Sequence, residues 1–251
     1  MNGHGLLLCA CCVNVHRSIA PLSIASQCYD GNMPRAADPS VRVRLTDAAM
    51  EILASGDELS LRRVASAAGT STIAVYTYFG GMPGLWLAVR ERAFDALAER
   101  LRELEQTDDP VADLIAAGAA YAERALADRT LFLALFEVRR TETQPASAAA
   151  TFGVLVDAVE RAVAAGRLAS RTDPIATAIR LWAMTHGVLV LVCTEALPES
   201  ALDDHLPPMY VAQLVSLGDG PRRAARSTRV GWAQDHAARA RVPASARSQR
   251  R

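Results

Sequence analysis

The sequence predicts an all-α fold in which an N-terminal three-helix unit precedes a larger helical domain. Hydrophobic residues make up 51% of the 251 residues, alanine is very frequent, and aromatic residues make up only 5%. This composition favours closely packed helices, because strands are enriched in β-branched and aromatic residues. Apolar residues also recur at helical spacing in segments separated by Gly, Pro and Asp. We therefore expect helices throughout, in one large or two small domains.

Charge is distributed unevenly, although the formal net charge is zero. Residues 219–251 contain nine arginines against two acidic residues, and few large apolar groups. A segment of this kind buries little apolar surface, so we expect a disordered Arg-rich tail. Four of the five cysteines lie in the first 28 residues, which does not indicate a secreted fold held by disulfides.

Residues 1–38 differ from the rest and are expected to form a disordered extension. The apolar run Leu6–Val13 has no basic residue before it and is short for a signal peptide. The nearby cysteines and histidines match no standard zinc spacing, so no metal site is predicted. Met33 lies just ahead of the first clear helix, and we hypothesise that the native protein begins there.

The first predicted helix runs from Pro39 to about Ser55. Asp38 offers an N-cap and Pro39 a proline at the first helical position, while Gly56 ends the helix. Its apolar residues form one stripe at helical spacing: Leu45, Ala48, Ala49, Ile52 and Leu53.

Two shorter helices follow and meet at a tight turn. Ser60 caps the second helix, Leu61–Ala68, and Gly69 follows as the left-handed residue that lets the chain turn. Ser71 caps a third helix, which ends at Phe79. This layout is typical of a helix-turn-helix, whose second helix reads a nucleic-acid groove. The outward face of the third helix is expected to carry Thr72, Ile73, Tyr76 and Thr77.

Six further helices are predicted after a break at Gly80–Gly84. The first is long, from Leu85 to about Leu104, and the others are expected at about 110–127, 129–140, 145–166, 175–197 and 209–217. The stretch Leu181–Cys193 is the most apolar of the chain. It is too short to span a bilayer, so we expect no membrane contact and place it in a core or against another subunit.

The N-terminal unit resembles the DNA-binding domain of tetracycline-repressor (TetR) family regulators over about residues 39–100. The resemblance rests on Thr46-x-Ala48-Ala49-x-x-Ile52-Leu53, Ser60-Leu61-x-x-Val64-Ala65-x-x-Ala68-Gly69-Thr70-Ser71 and Val75-Tyr76-x-Tyr78-Phe79, with Leu85 beyond them. Trp182-x-x-x-His186-Gly187 is also similar to a TetR subgroup named for a Trp-His-Gly signature.

The resemblance implies a cytoplasmic transcriptional regulator, a repressor released by a small-molecule effector, without a cofactor or enzymatic activity. It implies a homodimer on a palindromic operator in double-stranded DNA, with a helical ligand-binding and dimerisation domain over residues 101–218. Hydroxyls and N–H groups at a helix start can hold phosphate, while apolar and hydroxyl side chains can read base edges. The residues expected to approach DNA are Ser60, Ser71, Thr72, Ile73, Tyr76, Thr77, Tyr78 and Arg44.

Two positions depart from the family pattern. Met82 stands where the family usually has lysine, and Tyr78 where it usually has histidine. We therefore expect binding with a weaker salt dependence than that of a strongly basic regulator. Arginines elsewhere in the unit are candidates to supply the missing charge: Arg42, Arg44, Arg62 and Arg63.

A ligand pocket is expected to use aromatic residues of the C-terminal domain. His186 follows Trp182 by four residues, so both lie on one helix face. His186 either offers a hydrogen bond to a ligand in an apolar pocket or is a satisfied histidine at a helix crossing, and both interpretations stay open. The candidate ligand-binding residues are Tyr121, Phe132, Phe136, Phe152, Trp182 and His186.

Two other classes of protein also stay open. One is a helical small-molecule-binding or dimerisation protein without DNA activity, and the other is an enzyme without a recognisable motif. The sequence has no nucleophile elbow with a Ser-His-acid set, no phosphate-cradling glycine loop and no cluster with metal-ligand spacing. A DNA-binding regulator is therefore favoured.

Overall fold

The predicted all-α fold is confirmed. The computed structural model describes residues 38–136 and 145–239, which form ten helices and no strand. The hypothesis about Met33, the extension before residue 38 and the tail beyond residue 239 fall outside the described residues. The helices are α1 Pro39–Ala54, α2 Leu61–Ala67, α3 Thr72–Phe79, α4 Met82–Arg102, α5 Pro110–Ala127, α6 Arg129–Phe136, α7 Ala146–Ala164, α8 Pro174–Cys193, α9 Ala201–Ser216 and α10 Pro221–Arg239.

Most helix starts use the caps that the sequence indicates. The Asp38 carboxylate accepts from the Ser40 N–H at 2.9 Å, and the Ser60 hydroxyl accepts from the Arg63 N–H at 3.4 Å. Gly69 has the expected left-handed backbone, with φ of 62°. Ser71 occupies the N-cap of α3, but its side chain makes no capping hydrogen bond, so this part of the prediction is wrong.

The helices α1–α3 pack around a small core of their own. The apolar stripe predicted for α1 is buried, as are Val64 and Ala65 of α2, and Val75 of α3 closes the core. α4 contributes Leu85 and Val89 to this core and then continues, so that its Leu97 and Leu101 pack on α5. One continuous helix therefore links the small core to the larger one.

α6 lies between the two cores. Leu131 is buried among residues of α1–α4, whereas the next residue, Phe132, is buried in the large core. The large core is formed mainly by α5 and by α7–α10.

α4 begins earlier than expected. The sequence prediction treated Gly80–Gly84 as a break, yet the helix starts at Met82 and includes Gly84. The reason is close packing, since a Cβ atom on Gly84 would lie 1.8 Å from the carbonyl oxygen of Phe79. Gly84 thus allows the first turn of α4 to touch the end of α3.

α9 also begins earlier than expected. The prediction started a helix after Pro207 and Pro208, because proline is favoured in a first helical turn. The helix in fact starts at Ala201 and passes through both prolines. Its buried residues lie on both sides of them, with Leu202 and Leu206 before and Tyr210 and Leu214 after.

The predicted disordered tail is wrong for residues 221–239, which form α10. This helix packs along α5 by means of small residues, and Ala224, Ser227 and Gly231 are buried at helical spacing. A Cβ atom on Gly231 would lie 2.2 Å from the Ala112 carbonyl oxygen. Composition did not indicate this helix, because close backbone approach replaces the large apolar side chains that the prediction required.

A buried ionic network attaches α10 to the start of α5. Arg167, 7% exposed, donates to both carboxylate oxygens of Asp219, to Asp109 and to the Ser227 hydroxyl. The Ser227 hydroxyl donates to Asp109 at 2.6 Å. Such a network is strongly destabilised when one partner is removed, because the remaining charge stays buried.

By length and composition alone, α8 could cross a membrane, since its 20 residues are apolar enough. The sequence prediction judged only the shorter apolar stretch. Eight of its residues are buried, among them Leu181 and Leu189, and the helix packs on α5, α6, α7 and α9. This packing is that of a core helix with one open face.

Candidate nucleic-acid interface and ligand cavity

The outward face of α3 is exposed as predicted. Ile73 is 73% exposed and Tyr76 is 57% exposed, although both carry large side chains. Thr72 and Thr77 are exposed beside them, and the Thr77 hydroxyl donates to the Ile73 carbonyl at 3.0 Å. Its oxygen is left as an acceptor. Of the other predicted DNA-contact residues, Ser60, Ser71 and Arg44 are exposed and Tyr78 is half-buried.

Tyr76 is held over the turn that follows α3. A Cβ atom on Gly81 would lie 3.4 Å from the Tyr76 ring, and Gly81 has a φ of 119°. A side chain at this position would be strained and would press on the ring. The glycine therefore leaves room for Tyr76, whose hydroxyl end stays on the exposed face.

Arg42 of α1 contacts the end of α3. Its guanidinium donates to the Tyr78 carbonyl oxygen at 2.7 Å and lies 4.6 Å from the centre of the Phe79 ring. A positive charge at a helix C-terminus is favourable, because the last carbonyl groups carry partial negative charge. Arg42, one of the candidates to supply charge for DNA, thus also helps to fix the end of α3.

The other arginines of the N-terminal unit differ in their contacts. Arg63 lies 3.3 Å from an Asp57 carboxylate oxygen and donates to the Glu58 carbonyl, whereas Arg44 donates to the Ser40 hydroxyl. Met82 is half-buried against the small core. Hydroxyl, aromatic and apolar groups therefore dominate the exposed face of α3.

An apolar cavity lies in the C-terminal part of the fold, between α4, α5, α7 and α8. Its volume is about 120 Å³. Four of the six predicted ligand residues line it, and the sequence analysis missed several further lining residues. The predicted lining residues are Tyr121, Phe136, Phe152 and Trp182, and the missed ones include Arg90, Phe94, Gly118, Thr151, Thr185 and Tyr210.

The other two predicted residues, Phe132 and His186, do not line the cavity but pack against the lining residues Tyr121 and Phe136. His186 Nδ1 is 2.9 Å from the Tyr121 hydroxyl oxygen, and its ring centre is 4.5 Å from that of Phe136. Burial lowers the pKa of His186 and raises that of Tyr121. Both are therefore neutral near pH 7, and the histidine orients the tyrosine hydroxyl at the cavity wall.

A second polar pair was missed because it joins two helices. The Tyr210 hydroxyl of α9 lies 2.5 Å from the Thr185 hydroxyl of α8. A Cβ atom on Gly118 would lie 2.5 Å from the Tyr210 oxygen, so this glycine admits the ring. Burial raises the pKa of Tyr210 to about 12. The available sequence signal for Thr185 was a hydroxyl residue within a mostly apolar helix.

Among the described residues, no group of three His, Cys, Asp or Glu side chains is placed to hold a metal ion. Cys193 is a free thiol in the large core, and burial raises its pKa. The cavity and the α3 face are therefore the two candidate sites.

Comparison with models of known protein families shows which known domain the C-terminal part of the chain resembles. Residues 114–207 match the family model of the tetracyclin repressor-like C-terminal domain, and these residues form much of the cavity wall. These residues are therefore similar to the C-terminal domain of tetracyclin repressor-like proteins. This match does not test the Trp-His-Gly subgroup, and that finer assignment stays a prediction. No curated protein matches this chain significantly.

Several solved structures share the fold of this chain. RolR in complex with its ligand resorcinol has a TM-score of 0.56 at 19% identity, with 76% of this chain and 93% of RolR covered. TylP, a TetR regulator from Streptomyces fradiae, has a TM-score of 0.58 at 18% identity over 79% and 98% of the two chains. SmeT, the repressor of the SmeDEF multidrug efflux pump of Stenotrophomonas maltophilia, has a TM-score of 0.54 at 24% identity over 72% and 92%.

Proposed function

We propose that this protein is a cytoplasmic transcriptional repressor of the TetR type that binds a palindromic operator as a homodimer and is released by a small ligand. The observation that carries the proposal is the exposed face of α3. Burying a large apolar side chain is favourable, yet Ile73 stands 73% exposed on a helix whose other side is packed. A DNA groove offers the missing contact, because a thymine methyl group suits an apolar side chain.

The hydroxyl groups around Ile73 complete the proposed contact. Ser71 and the first N–H groups of α3 suit a phosphate, since they lie at a helix start and the serine is not used as a cap. Thr77 donates within its own helix, so its oxygen accepts from a base amino group such as that of adenine or cytosine. Tyr76 and Tyr78 extend the contact towards the backbone of the DNA.

A dimer places two copies of α3 on one operator. α8 keeps an open face with small and apolar side chains, and Leu191 is 45% exposed on it. We propose that this face and α9 form the dimer contact. Two recognition helices about one helical turn of DNA apart, roughly 34 Å, then read the two halves of a palindrome.

Ligand release is proposed to act through α4 and α6. Phe136 of α6 and Phe94 of α4 both line the cavity, and their ring centres are 6.0 Å apart. Leu131 of α6 is buried in the small core that carries α3. A ligand that binds one arrangement of these helices more tightly than the other shifts the spacing of the two α3 helices.

The test is binding to the promoter region of the protein's own gene, measured by mobility shift and by fluorescence anisotropy at low salt. We expect a specific shift, and we expect Ile73→Ala to weaken it by roughly tenfold, the size of one good base contact. Val230→Ala removes a comparable exposed side chain from α10 and should change nothing. A promoter screen without any shift would instead favour a helical ligand-binding protein, and turnover of a substrate would favour an enzyme.

A further inference from the structure

The hydroxyl groups of the cavity wall use their hydrogens inside the protein. The Thr151 hydroxyl lies 2.8 Å from the Ser147 carbonyl and 3.1 Å from the Phe94 carbonyl, and it donates its one hydrogen to these oxygens. Thr151 lines the cavity and is 8% exposed. Any further hydrogen bond that the Thr151 oxygen makes, including one to a ligand, is therefore one that it accepts.

The hydroxyl hydrogens of Thr185 and Tyr210 can be assigned in the same way. The Thr185 hydroxyl donates to the Leu181 carbonyl at 2.8 Å. A hydroxyl has one hydrogen, so the Tyr210 hydroxyl donates to Thr185 and both hydrogens are used. The Tyr210 oxygen then has only lone pairs left for further hydrogen bonds. A buried acceptor is best paired with a hydrogen-bond donor, here one on the ligand.

The Tyr121 hydroxyl is different, because its partner is a histidine ring nitrogen. Neutral imidazole either accepts from or donates to this hydroxyl, depending on which ring nitrogen carries the hydrogen. Tyr121 therefore adapts to a donor or to an acceptor on the ligand. A ligand group that both donates and accepts, such as a hydroxyl, is therefore compatible with Thr151, Tyr210 and Tyr121.

Size and shape limit the rest of the molecule. The cavity volume is about 120 Å³. An engineered apolar cavity of about 150 Å³ in another protein holds a benzene molecule. Aromatic rings from four helices line the space, and edge-on or offset contacts between rings are favourable. These rings belong to Phe94, Phe136, Phe152 and Trp182.

We propose that the cavity takes an uncharged molecule with a single aromatic ring and a hydroxyl group, and that this hydroxyl donates to the Tyr210 oxygen. The inference deepens the proposed function and rests on the cavity being its effector site. Arg90 is the one charged side chain among the described lining residues. An anion would gain from it but would place its oxygens against the acceptors of Thr151 and Tyr210.

The test compares phenol with toluene, which have nearly the same shape and differ by a hydroxyl in place of a methyl group. Isothermal titration calorimetry with the full chain near pH 7 should give phenol the lower Kd by about three- to tenfold, the size of one hydrogen bond. The sign is decisive, because a cavity without a free acceptor prefers the more apolar toluene. Toluene binding as tightly as phenol, or no binding of either, overturns the proposal.

Two variants locate the hydrogen bond. Tyr210→Phe should reverse the preference, so that toluene binds better than phenol, while Ser216→Ala on the same helix keeps the wild-type order. Thr185→Val removes the oxygen that takes the Tyr210 hydrogen and turns that hydroxyl into a donor. Benzaldehyde, which only accepts, should then gain affinity relative to phenol, and an unchanged ratio in Thr185→Val counts against the proposal.

A third probe tests the absence of charge. Benzoate should bind more weakly than phenol, and tighter binding of benzoate would make Arg90 the anchor and overturn the assignment of an uncharged ligand. Calorimetry needs no DNA, so the outcome is separate from operator binding. If the protein binds phenol but no promoter fragment, the proposed repressor function is refuted and the proposed ligand class stands. If it binds a promoter fragment but not phenol, the ligand class is refuted and the repressor function stands.

Discussion

Arg42 contacts the C-terminal end of α3, although it belongs to another helix. Its hydrogen bond to the Tyr78 carbonyl joins residues 36 positions apart in the chain, and its guanidinium covers the Phe79 ring. From the sequence, Arg42 was one of four arginines considered as candidates to supply the charge that Met82 lacks. The structure makes it a positioning residue for the proposed operator contact.

This role is tested with Arg42→Met. We expect operator affinity to fall by about tenfold or more, because hydrogen bonds that involve a charged group contribute roughly 1.5–3 kcal/mol. The dependence of log K on log salt should keep its slope, since no phosphate contact is lost. A slope smaller by about one would show that Arg42 contacts a phosphate instead.

The junction of α3 and α4 depends on a glycine that offers no side chain at all. Gly84 stands in the first turn of α4, and the Phe79 carbonyl oxygen occupies the place of its missing Cβ. The chain can therefore turn within the two residues Gly80 and Gly81, which both have positive φ. Substitution here displaces the recognition helix and the long helix relative to each other.

We expect Gly84→Ala to lower the free energy of unfolding by about 1–3 kcal/mol, as overpacked sites do, and to weaken operator binding. Gly153→Ala is the matched control. It is also in a helix, a Cβ atom there meets nothing within 4 Å, and the better helix propensity of alanine should stabilise the protein by up to about 1 kcal/mol. Chemical denaturation of both variants measures the difference, and equal effects would contradict this account.

α10 is attached through an acidic group whose ionisation depends on folding. Burial alone would raise the pKa of Asp109, but hydrogen bonds from Ser227, the Ala112 N–H and Arg167 outweigh it and lower the pKa. A carboxyl group with a lowered pKa stabilises the folded state above its unfolded value near 3.8. That stabilisation disappears as the pH falls through the folded pKa.

The melting temperature should therefore fall as the pH is lowered from 6 to 3, and Asp109→Asn should show a smaller fall. Thermal unfolding followed by circular dichroism checks this. Asp204→Asn, at an exposed position of α9, serves as the comparison and should retain the wild-type pH profile. Parallel profiles for the wild type and Asp109→Asn would refute the assigned role of Asp109.

Local patterns predicted most helices, and contacts between distant residues explain the differences. The apolar stripe of α1 and the caps Asp38 and Ser60 are properties of neighbouring residues, so they could be predicted. The position of α10 depends on Ala112 and Gly231, which are far apart in sequence. Tyr121 was predicted at the cavity because aromatic residues are common in pockets, whereas the acceptor role of Tyr210 needs the geometry of α8 and α9.

At the level of the whole molecule, the proposed homodimer depends on the open face of α8. Leu191→Arg places a charge in the centre of an apolar contact and should give a monomer by sedimentation, with operator affinity reduced at least a hundredfold because one half-site is lost. Val230→Arg adds the same charge to an exposed apolar position of α10 and should leave the dimer intact. A dimeric Leu191→Arg protein would move the contact elsewhere.

Neighbouring residues of α6 are buried in different cores, and this couples the two cores into one cooperative unit. Leu131 and Phe132 are neighbours in the chain and belong to different cores, so neither core loosens without disturbing the other. A molecule held in the cavity would then slow backbone hydrogen exchange not only around itself but also in α1, which packs on α6. Heat stability of the N-terminal unit thus becomes a readout of what occupies the C-terminal cavity.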